Sequence, residues 1–331
     1  MRERLAGAAR AALGGGRRLA AAERLAGGSK KGVYRLVMDD GTSAIAYRWA
    51  AAENYWPAAE GDDDLADPFS PGLGAGLFEA AHARLAALGV PVPAIRYIGR
   101  EVEGEVEGGH GAPADLVVVE DVPGENLEGL LARDPRAAAP VLARLGEALA
   151  AMRGHRAPGY GKVAVVDGGG ASHGTSCEGV VLDRALRDLA EAAARDARIA
   201  DARERLARRL LDLAAAVRPR AEHALVHGEL GPDHVLVDAA GRPVLIDLEG
   251  AMYFDVEWEH VFLRIRLRGA DYRPLAVDGL DEDRLALYTL AQRLSLTAGP
   301  LRLLDGDFPA RAAMAGIAEY NLRRALELAA G

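Results

Sequence analysis

The chain predicts an α+β protein in two lobes, strand-rich over residues 1–122 and mainly helical over 123–331. Three observations carry that prediction. Its 331 residues exceed the usual size of one domain. Short runs of β-branched and aromatic residues, divided by turn residues, fill 19–49. Beyond residue 125 the apolar residues recur at helical spacing.

Taken in order, Leu5, Ala9 and Leu13 repeat every four residues and predict a short surface helix stopped at Gly14–Gly16. LAAAERLA, VYRLVM and SAIAYRWA follow, parted by a Gly-Gly-Ser-Lys-Lys-Gly turn and an Asp-Asp-Gly turn, which is the pattern of an antiparallel meander. Residues 60–74 are acidic and rich in Pro and Gly, hence a loop. In GLFEAAHARLAALG, residues Leu77, Ala81, Leu85 and Leu88 share one helical face and Gly89 ends it. PVPAIRYIG and a Gly- and Glu-rich turn precede ADLVVVEDV, a buried strand broken at Pro123-Gly124. Helices then dominate, including two from the Ala/Arg/Leu stretch 181–217 with Leu and Ala inward. A hairpin around 225–247 and further helices from Val256 complete the chain.

Composition excludes several functions. Half of the residues are hydrophobic and 27% charged, ordinary for a globular enzyme. A net charge of −9 argues against a general nucleic-acid binder, since phosphate backbones need clustered Lys and Arg, and it suits a neutral or cationic small substrate. The single Cys177 excludes an internal disulfide framework and a multi-cysteine zinc site, and nothing around it marks a nucleophile. No apolar run approaches the roughly 20 residues that span a bilayer, and the Arg-interrupted start lacks the apolar core of a secretory signal. The expected location is the cytoplasm, with no membrane partner.

The stretch LVHGELGPDHVLVD, followed by Asp247 in VLIDLEG, puts His227 and His234 with the carboxylates of Glu229 and Asp247 around two short apolar segments. It reads either as a metal-nucleotide site or as a β-hairpin with polar ends. HGELGPDH (His227–His234) and IDLEG (Ile246–Gly250), with GLFEAAHARLAALGVPVPAI and VVVEDVPGENLEGLL before them, resemble the aminoglycoside phosphotransferase and choline kinase group. That group has the two-lobed protein-kinase-like fold, with a small antiparallel-sheet N-lobe and a larger, mainly helical C-lobe. The likeness spans about residues 19–330 and implies transfer of phosphate from ATP (or GTP), with Mg²⁺, to a hydroxyl of a small molecule. The implied acceptors are an antibiotic, an amino sugar or an amino alcohol, and antibiotic resistance is one implied role.

The resemblance also implies residue roles. Glu229 stands at the family's catalytic aspartate, as base toward the acceptor hydroxyl. Asp247, at the end of an apolar strand, is the expected Mg²⁺ ligand, the alternative being an ordinary strand-ending aspartate. His234 stands where the family has a metal-binding Asn; it is either a ligand, for which imidazole suits Mg²⁺ poorly, or a hydrogen-bonding residue of the loop. Glu249 supplies a replacement oxygen ligand. Gly27, Gly28 and Ser29 approach the nucleotide phosphates through backbone N–H groups, unless they serve only as a turn. Arg48, in place of the family's Lys, pairs with Glu79 of the following helix. Glu120 and Val122 offer backbone groups to adenine. Asp255 and Glu259 brace the catalytic loop, and His227 bonds backbone there. Glu257 and Trp258 either line an acceptor cleft or belong to a solvated helix end. Tyr55 and Trp56 pack over the nucleotide mouth or form an apolar plug. Because Glu229, His234 and Arg48 all depart from the family, a nucleotide-binding pseudokinase is the alternative function. A metal hydrolase using His227, Glu229, His234 and Asp247 lacks the helical HExxH context.

Overall fold

A computed structural model of the protein describes residues 2–59, 61–102, 113–267 and 269–329. The Gly- and Glu-rich turn expected at 103–112 lies outside the described residues. The chain forms two compact units, each assembled from separated segments. Met1–Tyr55, Pro71–Ala148 and Asp233–Gly250 make the first, while Trp56–Ser70, Leu149–Pro232 and Ala251–Gly331 make the second.

The first unit is built on a five-stranded antiparallel sheet. Helix α1 (Arg2–Leu13) precedes β1 (Leu19–Arg24), β2 (Gly32–Met38) and β3 (Ser43–Trp49). Helix α2 (Ala75–Ala87) leads to β4 (Ile95–Val102) and β5 (Pro113–Glu120), and the strand order is β1-β2-β3-β5-β4. Strand periodicity sorts the side chains onto two faces. Tyr34, Leu36 and Met38 of β2, with Ala44 and Ala46 of β3, form one core with Leu5, Ala8 and Ala9 of α1. Tyr47 and Trp49 of β3 instead meet Phe78 of α2, with ring centroids 5.5 and 6.1 Å apart. Gly89, at φ +73°, turns the chain out of α2, as its position in the sequence predicts.

Helix α3 (Leu127–Arg133) is capped by Asn126, whose side chain accepts the Gly129 N–H, and α4 (Pro135–Gly154) follows. Next come β6 (Arg156–Ala157), β7 (Gly161–Lys162) and the short α5 (Val163–Asp167). The stretch 181–217 resolves into most of α6 (Cys177–Arg195) and the whole of α7 (Ala197–Ala216). Asp196 divides them, its extended backbone ending α6 while its side chain caps α7 by accepting the Arg198 N–H. Strand β8 (His223–Val226) is followed by the hairpin β9 (Val235–Val237) and β10 (Pro243–Leu245), then β11 (Met252–Phe254).

The hairpin belongs to the first unit: Asn126 bridges to Leu236, and the Leu245 N–H donates to Pro91 O. Strands β6, β8, β11 and β7 make a small antiparallel sheet in the second unit. Helices α8 (Val256–Arg266), α9 (Glu282–Leu303) and α10 (Arg311–Leu328) close the chain. Val181, Leu189, Leu206, Leu210, Leu287, Leu290 and Leu294 are fully buried between the long helices, which accounts for their recurrence at helical spacings of three, four or eight residues. Among the described residues no helix is long and apolar enough to cross a membrane.

Candidate active site

The hairpin delivers Asp247 immediately past β10. The Ile246 N–H donates to His234 O, fixing the strand end beside the turn that opens β9. Asp247 has φ +63° and is the only non-glycine at positive φ among the described residues. Such backbone is strained and persists where the surroundings enforce it, commonly at functional positions. The next residues form a single helical turn, Leu248–Gly250, which buries Glu249 to 5% exposure. Gly72 makes this approach feasible, since a Cβ there would stand 2.7 Å from Glu249 Cβ.

Both carboxylates converge on one ammonium. Lys31 Nζ donates to Asp247 Oδ1 at 2.6 Å and to Glu249 Oε1. It also lies over the rings of Tyr47 and Trp49, 4.9 and 5.5 Å from their centroids. Burial opposes the charge on Lys31, but Asp247 and Glu249 more than offset it and hold the ammonium well above its ordinary value. Burial pushes the Glu249 carboxyl up, with the Lys31 charge acting against it. Glu249 Oε2 is buried without a hydrogen-bond partner, an arrangement that favours a further cation. His234 Nε2 stands 3.6 Å from Asp247 Oδ2 and 3.7 Å from Asp233 Oδ2. A hard divalent ion prefers such an oxygen pair, so Asp247 and Glu249 fit Mg²⁺ by their chemistry and their convergence.

Arg48 does not form the pair expected of it. Its Nη1 lies 3.3 Å from Glu53 Oε1, and Glu79 enters no ion pair among the described residues. The reason is strand alternation: Tyr47 and Trp49 face α2, so Arg48 between them faces away from the helix that carries Glu79. There it joins a buried cluster in which Glu53 also meets Arg24 Nη2 at 3.0 Å and accepts the Tyr34 hydroxyl. Gly32, opposite Arg48 in the sheet, makes room for it, since a Cβ would stand 2.6 Å from the Glu53 carboxylate.

The glycine loop runs from Gly27, at φ +112°, to Gly32. A Cβ on Gly28 would stand 2.3 Å from Lys31 O, so the close turn requires glycine. Ser29 O accepts the Tyr55 N–H at 2.9 Å, and the Tyr55 hydroxyl accepts from Arg24. Trp56 lies against Gly299 of α9. At the end of β5, the Glu120 N–H donates to Ala94 O at 2.8 Å, and Val122 is buried.

In the second unit, the loop after β8 is held by its backbone. Buried Glu259 accepts the N–H groups of His227 and Gly228, and the Trp258 indole donates to Gly228 O at 2.9 Å. Gly228 sits at φ +92°. Glu229 follows it and is exposed. Burial pushes Glu259 up to about 7 against the opposing N–H groups of His227, Gly228 and Leu230. The expectation that Glu259 braces this loop matches the contacts.

Asp255 braces differently. Arg284 Nε donates to its Oδ2 at 2.8 Å, the Tyr288 hydroxyl to the same oxygen, and Arg220 Nη1 to Oδ1 at 3.1 Å. Burial works to raise this carboxyl, but His223, Tyr288, Arg284 and Arg220 together hold it far below the usual range. Glu257 lies at the wall of a pocket bordered by Arg153, Arg220, Glu222 and Asp278, but it is itself fully buried, bidentate to Arg220, and accepts the Asp281 N–H. Trp258 is likewise buried among Phe69, Phe254 and Tyr288. Cys177 Sγ lies 3.3 Å from His223 Nδ1, but both are buried and burial pushes the thiol far up, so it is no nucleophile. A metal among Cys177, His223 and Asp255 would have to displace two arginines from Asp255.

The model of the phosphotransferase enzyme family (APH) matches residues 70–296, more than half of the chain. The chain belongs to that family. As a member it is a small-molecule kinase. No curated protein matches this phosphotransferase in sequence. Solved structures share its fold. A spectinomycin phosphotransferase, APH(9)-Ia, in complex with ADP and spectinomycin superposes with a TM-score of 0.61 at 12% identity, over 99% of this chain and 97% of the other. The choline kinase LicA from Streptococcus pneumoniae gives 0.58 at 13%, over 99% and 98%. A thermostable mutant of the aminoglycoside phosphotransferase APH(4)-Ia, with ADP and hygromycin B, gives 0.57 at 17%, over 92% and 94%. The protein-kinase-like α+β fold expected from the sequence is therefore the fold of this phosphotransferase.

Two residues of its site escaped the sequence reading. Lys31 was hidden inside a glycine turn, where lysine ordinarily marks a solvated tip; its signal was the flanking Gly28 and Gly32. Glu53 carried no local signal, because its partners lie on β1, β2 and β3.

Proposed function

We propose that this phosphotransferase moves the terminal phosphoryl group of ATP to a hydroxyl of a small, amine-bearing molecule, in a Mg²⁺-dependent reaction. The observation that carries this reading is the convergence of the Asp247 and Glu249 carboxylates on a single cation, with a buried Glu249 oxygen to spare. Asp247 and Glu249 would hold Mg²⁺, whose charge would offset that of the phosphates. His234 is better suited to orienting Asp247 than to ligating a hard cation. Gly27, Gly28 and Ser29 approach the phosphates with backbone, and the backbone of Glu120 and Val122 receives adenine. Glu229, on its clamped loop, takes the proton of the acceptor hydroxyl.

The acceptor class draws support from two sides. The net charge of −9 favours a cationic substrate. Fold relatives hold hygromycin B or spectinomycin, and one is a choline kinase. An antibiotic, an amino sugar or an amino alcohol therefore leads the acceptor panel.

The test is ADP release and mass gain across that panel. At least one acceptor gains a phosphate, and EDTA abolishes the gain. Asp247→Ala is inactive, Glu229→Ala loses about 10²–10⁴-fold in turnover, the worth of a placed general base, and Glu229→Asp keeps part of it. Tight binding of Mg·ATP with no acceptor ever phosphorylated would replace this reading with that of a nucleotide-binding pseudokinase.

A further inference from the structure

Arg48 faces the wrong side of the sheet to serve the carboxylate pair, yet the opposite side has a cation of its own. Lys31 precedes Gly32 in chain order, and Gly32 pairs with Arg48 across the sheet. Side chains alternate along the strand, so Lys31 projects to the face of Val33, Tyr47 and Trp49, opposite to Arg48. Its aliphatic stem is buried, its ammonium rests over two aromatic rings, and its charge is shared between Asp247 and Glu249.

We propose that Lys31 is the phosphate-binding cation of this enzyme, held on the Asp247 and Glu249 carboxylates until a divalent ion takes its place there. The inference rests on the functional reading above and adds to it the residue and the exchange. An ammonium and a divalent ion cannot occupy the same point between two carboxylates, because like charges at contact distance repel strongly wherever water is excluded. Entry of the ion therefore expels the ammonium. The place vacated lies beside the ion, where the phosphates that the ion binds must also lie, so the nearest new partner for Lys31 is a phosphate oxygen. Lys31 lies in the turn between β1 and β2, so its side chain can change partner while the pairing of the two strands is kept. Lys31 in its stored position also prevents two carboxylates from facing each other without a counter-ion.

Mn²⁺, read by electron paramagnetic resonance, serves as the probe. Without nucleotide, Lys31→Met binds Mn²⁺ about tenfold more tightly than the native chain, because the competing ammonium is gone. The same variant binds AMP-PNP in the presence of Mn²⁺ roughly ten- to a hundredfold more weakly, the loss of one charge-assisted hydrogen bond, and Lys31→Arg recovers part of it. Unchanged or weaker Mn²⁺ binding by Lys31→Met overturns the storage role, and unchanged AMP-PNP binding overturns the phosphate role.

A second measurement uses the native chain. It holds three lysines, Lys30, Lys31 and Lys162, so trace acetylation followed by mass spectrometry reports Lys31 directly. Labelling of Lys31 is slow in the free protein, rises with Mn²⁺ alone, and falls again when AMP-PNP is added. Labelling indifferent to Mn²⁺ would sink the exchange. Asp247→Asn separates the two levels of the argument. If it binds Mn²⁺ and AMP-PNP as the native chain does, the functional reading of the carboxylate pair fails. If it loses them while Lys31→Met behaves as native, only the role of Lys31 falls.

Discussion

Asp255 and Asp247 are both aspartates of the same short stretch, and their surroundings set them to opposite tasks. Asp255 has no exposed surface and is saturated by Arg284, Arg220 and the Tyr288 hydroxyl. Asp247 is partly open, strained at φ +63°, and shares its charge with a lysine from a distant loop. Removing a member of a buried ionic network leaves its partner charged in a dry environment. Asp255→Ala is accordingly expected to cost about 3 kcal/mol in urea unfolding, near the low end for a broken buried pair, since Asp281 and Glu178 stay near Arg284. A cost below about 1 kcal/mol, the worth of an exposed pair, would mean that the network is solvated. The distinction between these aspartates was only partly legible. The apolar run before Asp247 and the acids after Tyr253 stand in the sequence, but the arginines that claim Asp255 lie 35 residues before it and 29 after it.

Strand β8, its loop and helix α8 act together. Helix α8 carries Glu259 beneath the loop, where the backbone N–H groups of 227 and 228 reach it and Glu229 is left at the surface. A carboxyl raised to about 7 by burial binds its proton more tightly in the folded chain than in the unfolded one. Its contribution to stability is complete below the unfolded value, about 4.3 for Glu, and is lost as pH rises through 7. The unfolding free energy of the native chain, read by urea unfolding, should therefore fall from pH 5 to pH 8 relative to that of Glu259→Gln, by an amount on the order of a few kcal/mol. His260, pushed down to about 4 by burial, acts in the opposite sense on the acid side, and is common to both chains, so it cancels in the difference. A pH-independent difference would show that the loop N–H groups hold Glu259 ionised throughout. The elements here were readable from local pattern, whereas the depth of Glu259 was not. Its neighbours Glu257 and Trp258 read equally well as a solvated helix end, and the structure buries all three.

Across the molecule, each compact unit gathers segments far apart in sequence. Residues 233–250 illustrate why a boundary placed at 122 follows composition rather than contact. They are joined to the first unit by the bridge from Leu236 to Asn126 and by the hydrogen bonds from Arg144 to Ala240 O and Gly241 O. A ligand that bound only the folded chain would raise its stability by mass action. Mg·ATP at a hundredfold excess over its dissociation constant is expected to add about 2.7 kcal/mol, visible as a higher melting temperature that EDTA removes. An equal rise with ATP alone would place the nucleotide away from the carboxylate pair.

The strands, the helices, the glycine turns and the motifs around His227 and Asp247 were determined by neighbouring residues, because periods of 2 and 3.6 and the chemistry of turns are local properties. Which face a side chain takes was half-determined: the alternation of Tyr47, Arg48 and Trp49 already separates the arginine from its neighbours, but only packing against Phe78 shows which side meets α2. The partnership of Lys31 with Asp247, 216 residues away, was fixed by folding alone. Local sequence holds no record of a contact closed across such a distance, since that contact forms only when the rest of the unit has brought the two segments together.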